Sequence, residues 1–272
     1  MIVMSTPTRS DRRRQLTVAV SAVIAIVGSF VGSGVLFGTP IADTAGGALA
    51  ADATLIAPGT GAFQIWGLIY LGLVAYAVWQ FLPAQATAER HRRLGYPIAW
   101  SLVLNAAWIL SIQFDQLWLS VPVIAALLVS LVISFRITAT TKSASVVDAV
   151  VTDGTVGLYL GWVSVATAAN VTALLVAQGF EGFGISPDLW AVVIVAVAGL
   201  VGLAVATLGR GRIAPALSLG WGLAWIAQAR VSGSPESTPT AVAAIVAVVV
   251  IVGATVVVRL RSARGAASTT RA

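Results

Sequence analysis

Three groups of aromatic and amide residues stand at helical spacing in this chain of 272 residues, and they are the side chains best suited to holding a ligand. Trp66 and Tyr70 are four apart, and Asn105 and Trp108 three apart. Tyr159, Trp162, Ala166 and Asn170 follow one another at three, four and four, so each group falls on one face of a helix. Indole and phenol faces stack on flat rings, while amides and hydroxyls fix a polar edge by hydrogen bonds. In apolar surroundings an unsatisfied amide costs on the order of a few kcal/mol. Asn105 and Asn170 are therefore expected to bond across helices or to line a cavity.

Other chemistry has no visible agents. There is no cysteine, which excludes a disulfide framework, thiolate metal ligands and a cysteine nucleophile. The single histidine, His91, stands beside Arg90, Arg92 and Arg93 without metal-binding partners, and is expected to be a solvated loop residue. No Ser/His/Asp pattern, phosphate loop or paired intramembrane carboxylate is present, so no catalytic residue and no metal ligand is assigned. The apolar runs carry no Lys, Arg, Asp, Glu or His in their interiors, which argues against a proton or ion pump.

The elements that position these residues are membrane helices. With 58% apolar and 10% charged residues and a mean hydropathy of +0.95, the chain is a polytopic all-α membrane protein. Its net charge of +6 is spread between apolar runs rather than gathered on a folded face, so the membrane explains it and nucleic acid is not a partner. The central stretch, 58–83, is long enough to cross the ~30 Å hydrocarbon core as a helix and carries Phe63, Trp66 and Tyr70 on one side. Further runs lie at 16–37, 94–113, 117–137, 154–178, 189–208, 213–229 and 240–258, the seventh in chain order being the shortest. The run at 16–37 follows Arg12, Arg13 and Arg14 as a signal peptide would, but is longer than a signal core and reads as an uncleaved helix. Gly28, Gly32 and Gly34 within it would admit a close neighbour. Residues 114–116 predict a tight turn, and Trp79, Trp118 and Trp190 fall near span ends, where indoles favour the interface.

Charge orients the spans, because cytoplasmic segments retain Lys and Arg. With eight helices and both termini cytoplasmic, every Lys and Arg except Arg230 lies on the inner side. Removing one helix would reverse all later segments and spoil that segregation.

The spaced residues also resemble a known family. Trp66 with Tyr70, Asn105 with Trp108 in LNAAW, and Tyr159, Trp162 and Asn170 in YLGWVSVATAAN match, in order and on the right helices, the tryptophan-rich sensory proteins (TspO/MBR), relatives of the mitochondrial translocator protein. The resemblance covers about residues 16–178. It implies a five-helix bundle, often dimeric, that takes porphyrin, haem or another flat hydrophobic ligand, with Trp66, Tyr70, Asn105, Trp108, Tyr159, Trp162, Ala166 and Asn170 lining the site and no cofactor required. Two departures stand out: the segment 38–57 has no Trp and a single proline, Pro40, and Leu158 stands where the family usually has proline. The implied organisation is a cytoplasmic N-terminus at 1–15, the bundle at 16–178, three additional transmembrane helices at 179–258 and a basic cytoplasmic tail at 259–272. In the cell membrane, with lipids as neighbours, the role implied is sensory or regulatory. Two other readings stay open: a transporter of a small hydrophobic or amphipathic solute, and a membrane enzyme acting on a lipid-soluble substrate. Trp221 and Trp225, four apart, have no assigned role.

Overall fold

The computed structural model describes residues 6–32 and 39–269, and its regular structure is helical, with no strand among the described residues. Among the described residues eight long helices follow in order: α1 Arg9–Gly32, α2 Thr60–Trp79, α3 Glu89–Gln113, α4 Leu117–Thr140, α5 Val146–Ala177, α6 Pro187–Leu208, α7 Ile213–Ser232 and α8 Thr238–Thr269. All but α7 are long and apolar enough to cross a membrane. The chain is thus a multi-pass membrane protein. Residues 33–37 of the expected first span, with Gly34, lie outside the described residues, as does Arg271.

Three helices, α1, α3 and α5, begin a turn or more before their apolar runs. α1 starts at Arg9 because Thr8 and Asp11 cap it reciprocally: the Asp11 N–H donates to Thr8 Oγ1 at 3.2 Å and the Thr8 N–H to Asp11 Oδ2 at 3.0 Å. At the start of α5 the Ser145 hydroxyl accepts from the Asp148 N–H at 3.1 Å, and Asp148 Oδ2 accepts from the Ala144 N–H at 2.9 Å. α3 starts at Glu89 and is joined to α2 through a single helical turn, Pro83–Ala86. The polar segment 142–153, which lies between the apolar runs at 117–137 and 154–178 and reads from its polarity as a loop, is largely helical instead, since α5 is already under way at Val146 and widens into a π turn over Ala149–Gly154. The tight turn between α3 and α4 is present, with Asp115 in the left-handed region at φ 56°.

Contacts divide the chain into two compact units. The first comprises the described residues up to Ala45 together with Trp66–Val156, and the second Gly46–Ile65 with Gly157–Ala272. The division runs through α5 at Val156, whereas the sequence places its boundary after residue 178. In the first unit α3 is central, packed by α1 on one side and α4 on the other. Gly28 and Gly32 permit the close approach expected of them: a methyl group at Gly28 would stand 2.9 Å from Ala106 Cβ, and one at Gly32 2.8 Å from Ile109 Cγ2. In the second unit α8 lies against both α6 and α7, around a core that includes Val195, Leu219, Leu223, Ala244 and Ile251. The α5 segment from Gly157 packs on α7, where Gly161 meets Pro215 and Ser218, and Val165 meets Gly222.

Candidate ligand-binding faces and a buried ion cluster

The eight candidate residues fall four to each unit. In the first, Asn105 of α3 donates from Nδ2 to the Tyr70 hydroxyl of α2 at 2.6 Å, and the ring of Trp66 lies 5.4 Å from that of Tyr70 at an angle of 31°. The amide of Asn105 is buried, and its Oδ1 has no hydrogen-bond partner in the protein. Trp108, one turn along α3, is buried as well. A polar pair beside aromatic rings can hold the edge of a flat ligand while the rings stack on its face.

In the second unit Tyr159, Trp162 and Asn170 are buried on α5, and Ala166 is half-buried. Trp162 meets Phe63 edge to face, with ring centroids 5.7 Å apart at 78°. Phe63 sits in the opening turn of α2, Thr60–Gln64, and α7 holds that turn. The Trp221 indole donates to the Ala62 carbonyl at 2.9 Å, the Gly59 N–H donates to the Trp225 carbonyl at 3.2 Å, and Gly61 lies against the Trp225 ring. Arg230, near the end of α7, is almost fully buried and donates to the carbonyls of Thr54 at 3.1 Å and Ala51 at 2.7 Å. Trp221, Trp225 and Arg230 therefore fix the segment that presents Phe63 to Trp162. Sequence reading missed this role, because the contact between Trp221 and Ala62 joins positions 159 residues apart.

A second polar feature lies in the first unit and corrects the reading of His91. The residue is helical and fully buried, because α3 begins before the apolar run does. Its Nε2 lies 3.0 Å from Gln85 Oε1 and 3.5 Å from Asp148 Oδ1. Asp148, at the start of α5, also accepts from the Thr152 hydroxyl at 2.8 Å and from the Trp79 indole at 3.3 Å. Trp79, expected at the interface, thus ties the end of α2 to α5. Arg90 pairs with Asp153 and lies 3.9 Å from Asp148. Arg92 grips Asp11 of α1 with two bonds of 2.7 and 2.8 Å, and Arg14 lies 3.6 Å from the same carboxylate.

Comparison with known proteins gives a match to a family model. The model described as TSPO-like protein matches residues 18–257. The match extends well past residue 178, so α6 and α7 and most of α8 fall within it, whereas the residues quoted from the sequence carried the resemblance only through α5. No curated protein and no solved structure matches the chain.

Proposed function

The chain belongs to the TSPO-like protein family, and from that premise we propose that it binds a flat hydrophobic ligand of the tetrapyrrole type, with a sensory or regulatory role in the cell membrane. The observation that carries this reading is the Asn105–Tyr70 hydrogen bond, a part-buried polar pair beside the Trp66 ring. The candidate contact residues make two separate faces, Trp66, Tyr70, Asn105 and Trp108 in the first unit, and Tyr159, Trp162, Ala166 and Asn170 in the second. Membrane lipids and a second copy of the chain are its expected neighbours.

The proposed topology is eight spans with both termini cytoplasmic. α7, although less apolar than the others, has 20 residues and so the ~30 Å length that a crossing needs. Its polarity is what protein neighbours permit, since more than half of its residues are buried. Reporter fusions at Gly46 and Ser234 should register outside, and fusions at Lys142 and the C-terminus inside; an external C-terminus would remove α7 from the membrane.

The ligand reading is tested by titrating the detergent-purified protein with protoporphyrin IX and haem while following tryptophan fluorescence. Saturable quenching is expected, weakened at least tenfold in affinity by Asn105→Ala or by Trp162→Phe, in protein that stays folded. The two variants report on the two units separately. Linear quenching equal in all three proteins would mean partitioning into detergent and would refute a built site.

A further inference from the structure

The cluster around His91 takes no part in the ligand reading, and it brings a titratable ring into a buried set of opposed charges. We infer that this cluster is a proton-binding site in which His91 takes up and releases the proton. The charged groups facing the ring are Asp148 from α5, Arg90 from its own helix and Arg14 from α1. From α2 the buried Tyr76 faces it, with ring centroids 5.8 Å apart and a hydroxyl that has no hydrogen-bond partner in the protein. A carboxylate oxygen only accepts, so beside Asp148 the Nε2 of His91 carries a hydrogen whether the ring is neutral or charged. Nδ1 is then the atom that titrates, and it too is without a protein partner.

The charges make both states tenable. With the ring neutral, the cations Arg14, Arg90 and Arg92 face the carboxylates Asp11, Asp148 and Asp153 in equal number. Arg92, however, is 40% exposed, so water weakens its share. Counting the side chains no more than a tenth exposed, Asp11, Asp148 and Asp153 outnumber Arg14 and Arg90 by one, and a charged His91 restores the balance. The cluster is therefore within one charge of neutrality in either state, which is what a buried ring needs in order to gain a proton without unfolding its surroundings. The step is a simple one: a proton from water joins the Nδ1 lone pair, and the resulting imidazolium faces Asp148 as an ion pair.

Because His91 is the only histidine, ¹⁵N-histidine labelling gives the signals of this residue alone in the full-length protein, provided purification uses a tag without histidine. Acidification from about pH 8 to about pH 3 is expected to convert the ring reversibly from the neutral Nε2–H form toward the doubly protonated form while circular dichroism stays that of the folded protein. Asp148→Asn should move the midpoint down by about one pH unit or more, through loss of the facing charge. Arg90→Gln and Arg14→Gln, each removing a cation that faces the ring, should move it up. A ring that stays neutral throughout, a neutral form protonated on Nδ1, or charging that coincides with unfolding would each overturn the proposal. If Asp148→Asn does not fold, Arg14→Gln and Arg90→Gln decide, and a midpoint unmoved or lowered in both refutes the cluster as the site.

Discussion

In the first unit the central helix α3 is tied at its start by side chains that carry charge, with the Asp11–Arg92 pair to α1 and the Arg90–Asp153 pair to α5, while Ser130 of α4 donates to the Pro97 carbonyl at 2.7 Å further along. In the second unit α7 meets α5 through glycines that let backbones approach, and its one buried cation, Arg230, bonds carbonyl oxygens in the bonds described above. Both units pack small residues closely, at Gly28 and Gly32 in the first and at Gly161 and Gly222 in the second, but around α3 ion pairs are added to this packing, and both means are open to helices that gain nothing from the hydrophobic effect within lipid. Polar pairs tolerate a small change of distance, whereas a close backbone contact does not, and the two units should respond differently to substitution.

The largest effect is expected from Gly161→Val. It drives a branched side chain into Pro215 and Ser218 and should cost about 3 kcal/mol, seen as a collapsed thermal midpoint or loss of monodisperse protein. A variant as stable as the wild type would mean that this helix contact is not close in the membrane. Next is Arg230→Ala, which strips the Ala51 and Thr54 carbonyls of a charged donor at a cost of about 2 kcal/mol. Hydrogen exchange over residues 46–57 should accelerate, with Arg230→Lys restoring only part of the protection because it lacks the fork of donors. Tyr70→Phe removes the acceptor from Asn105 and should cost about 1 kcal/mol, together with a measurable loss of porphyrin affinity. Smallest is Ser130→Ala, at about 0.6 kcal/mol for one hydrogen bond between membrane helices, and a larger loss would show that polar bonds dominate in the first unit more than the comparison allows.

The apolar runs made the helices legible, and the spacing of Asn105 marked it as a residue that would bond across helices or line a cavity; it bonds Tyr70. The helix starts were less legible, because a first turn rich in Arg and Asp looks like a loop to any measure of hydrophobicity. Two signals for them were nevertheless present in the sequence. Thr8 with Asp11 and Ser145 with Asp148 are capping patterns, and read as such they would have placed Asp148 inside a helix. α3 offered no equivalent, since its N-cap residue is Ala88, and so the burial of His91 depended on tertiary contacts that no local pattern encodes. α7 was the hardest to judge. The more a membrane helix is shielded by protein, the less apolar it needs to be: 61% of the apolar stretch of α3 is buried, against 28% for that of α8.

The π turn at Ala149–Gly154 has a consequence for how this chain can change in length. In a regular α-helix Asp148 and Asp153, five positions apart, would point about 140° away from each other. The wider turn brings them close to the same direction, and both reach Arg90. Deleting one residue here would restore an ordinary helix and send one carboxylate elsewhere, while an insertion would do the same in the opposite sense. Within this stretch, the number of residues matters as much as their identity.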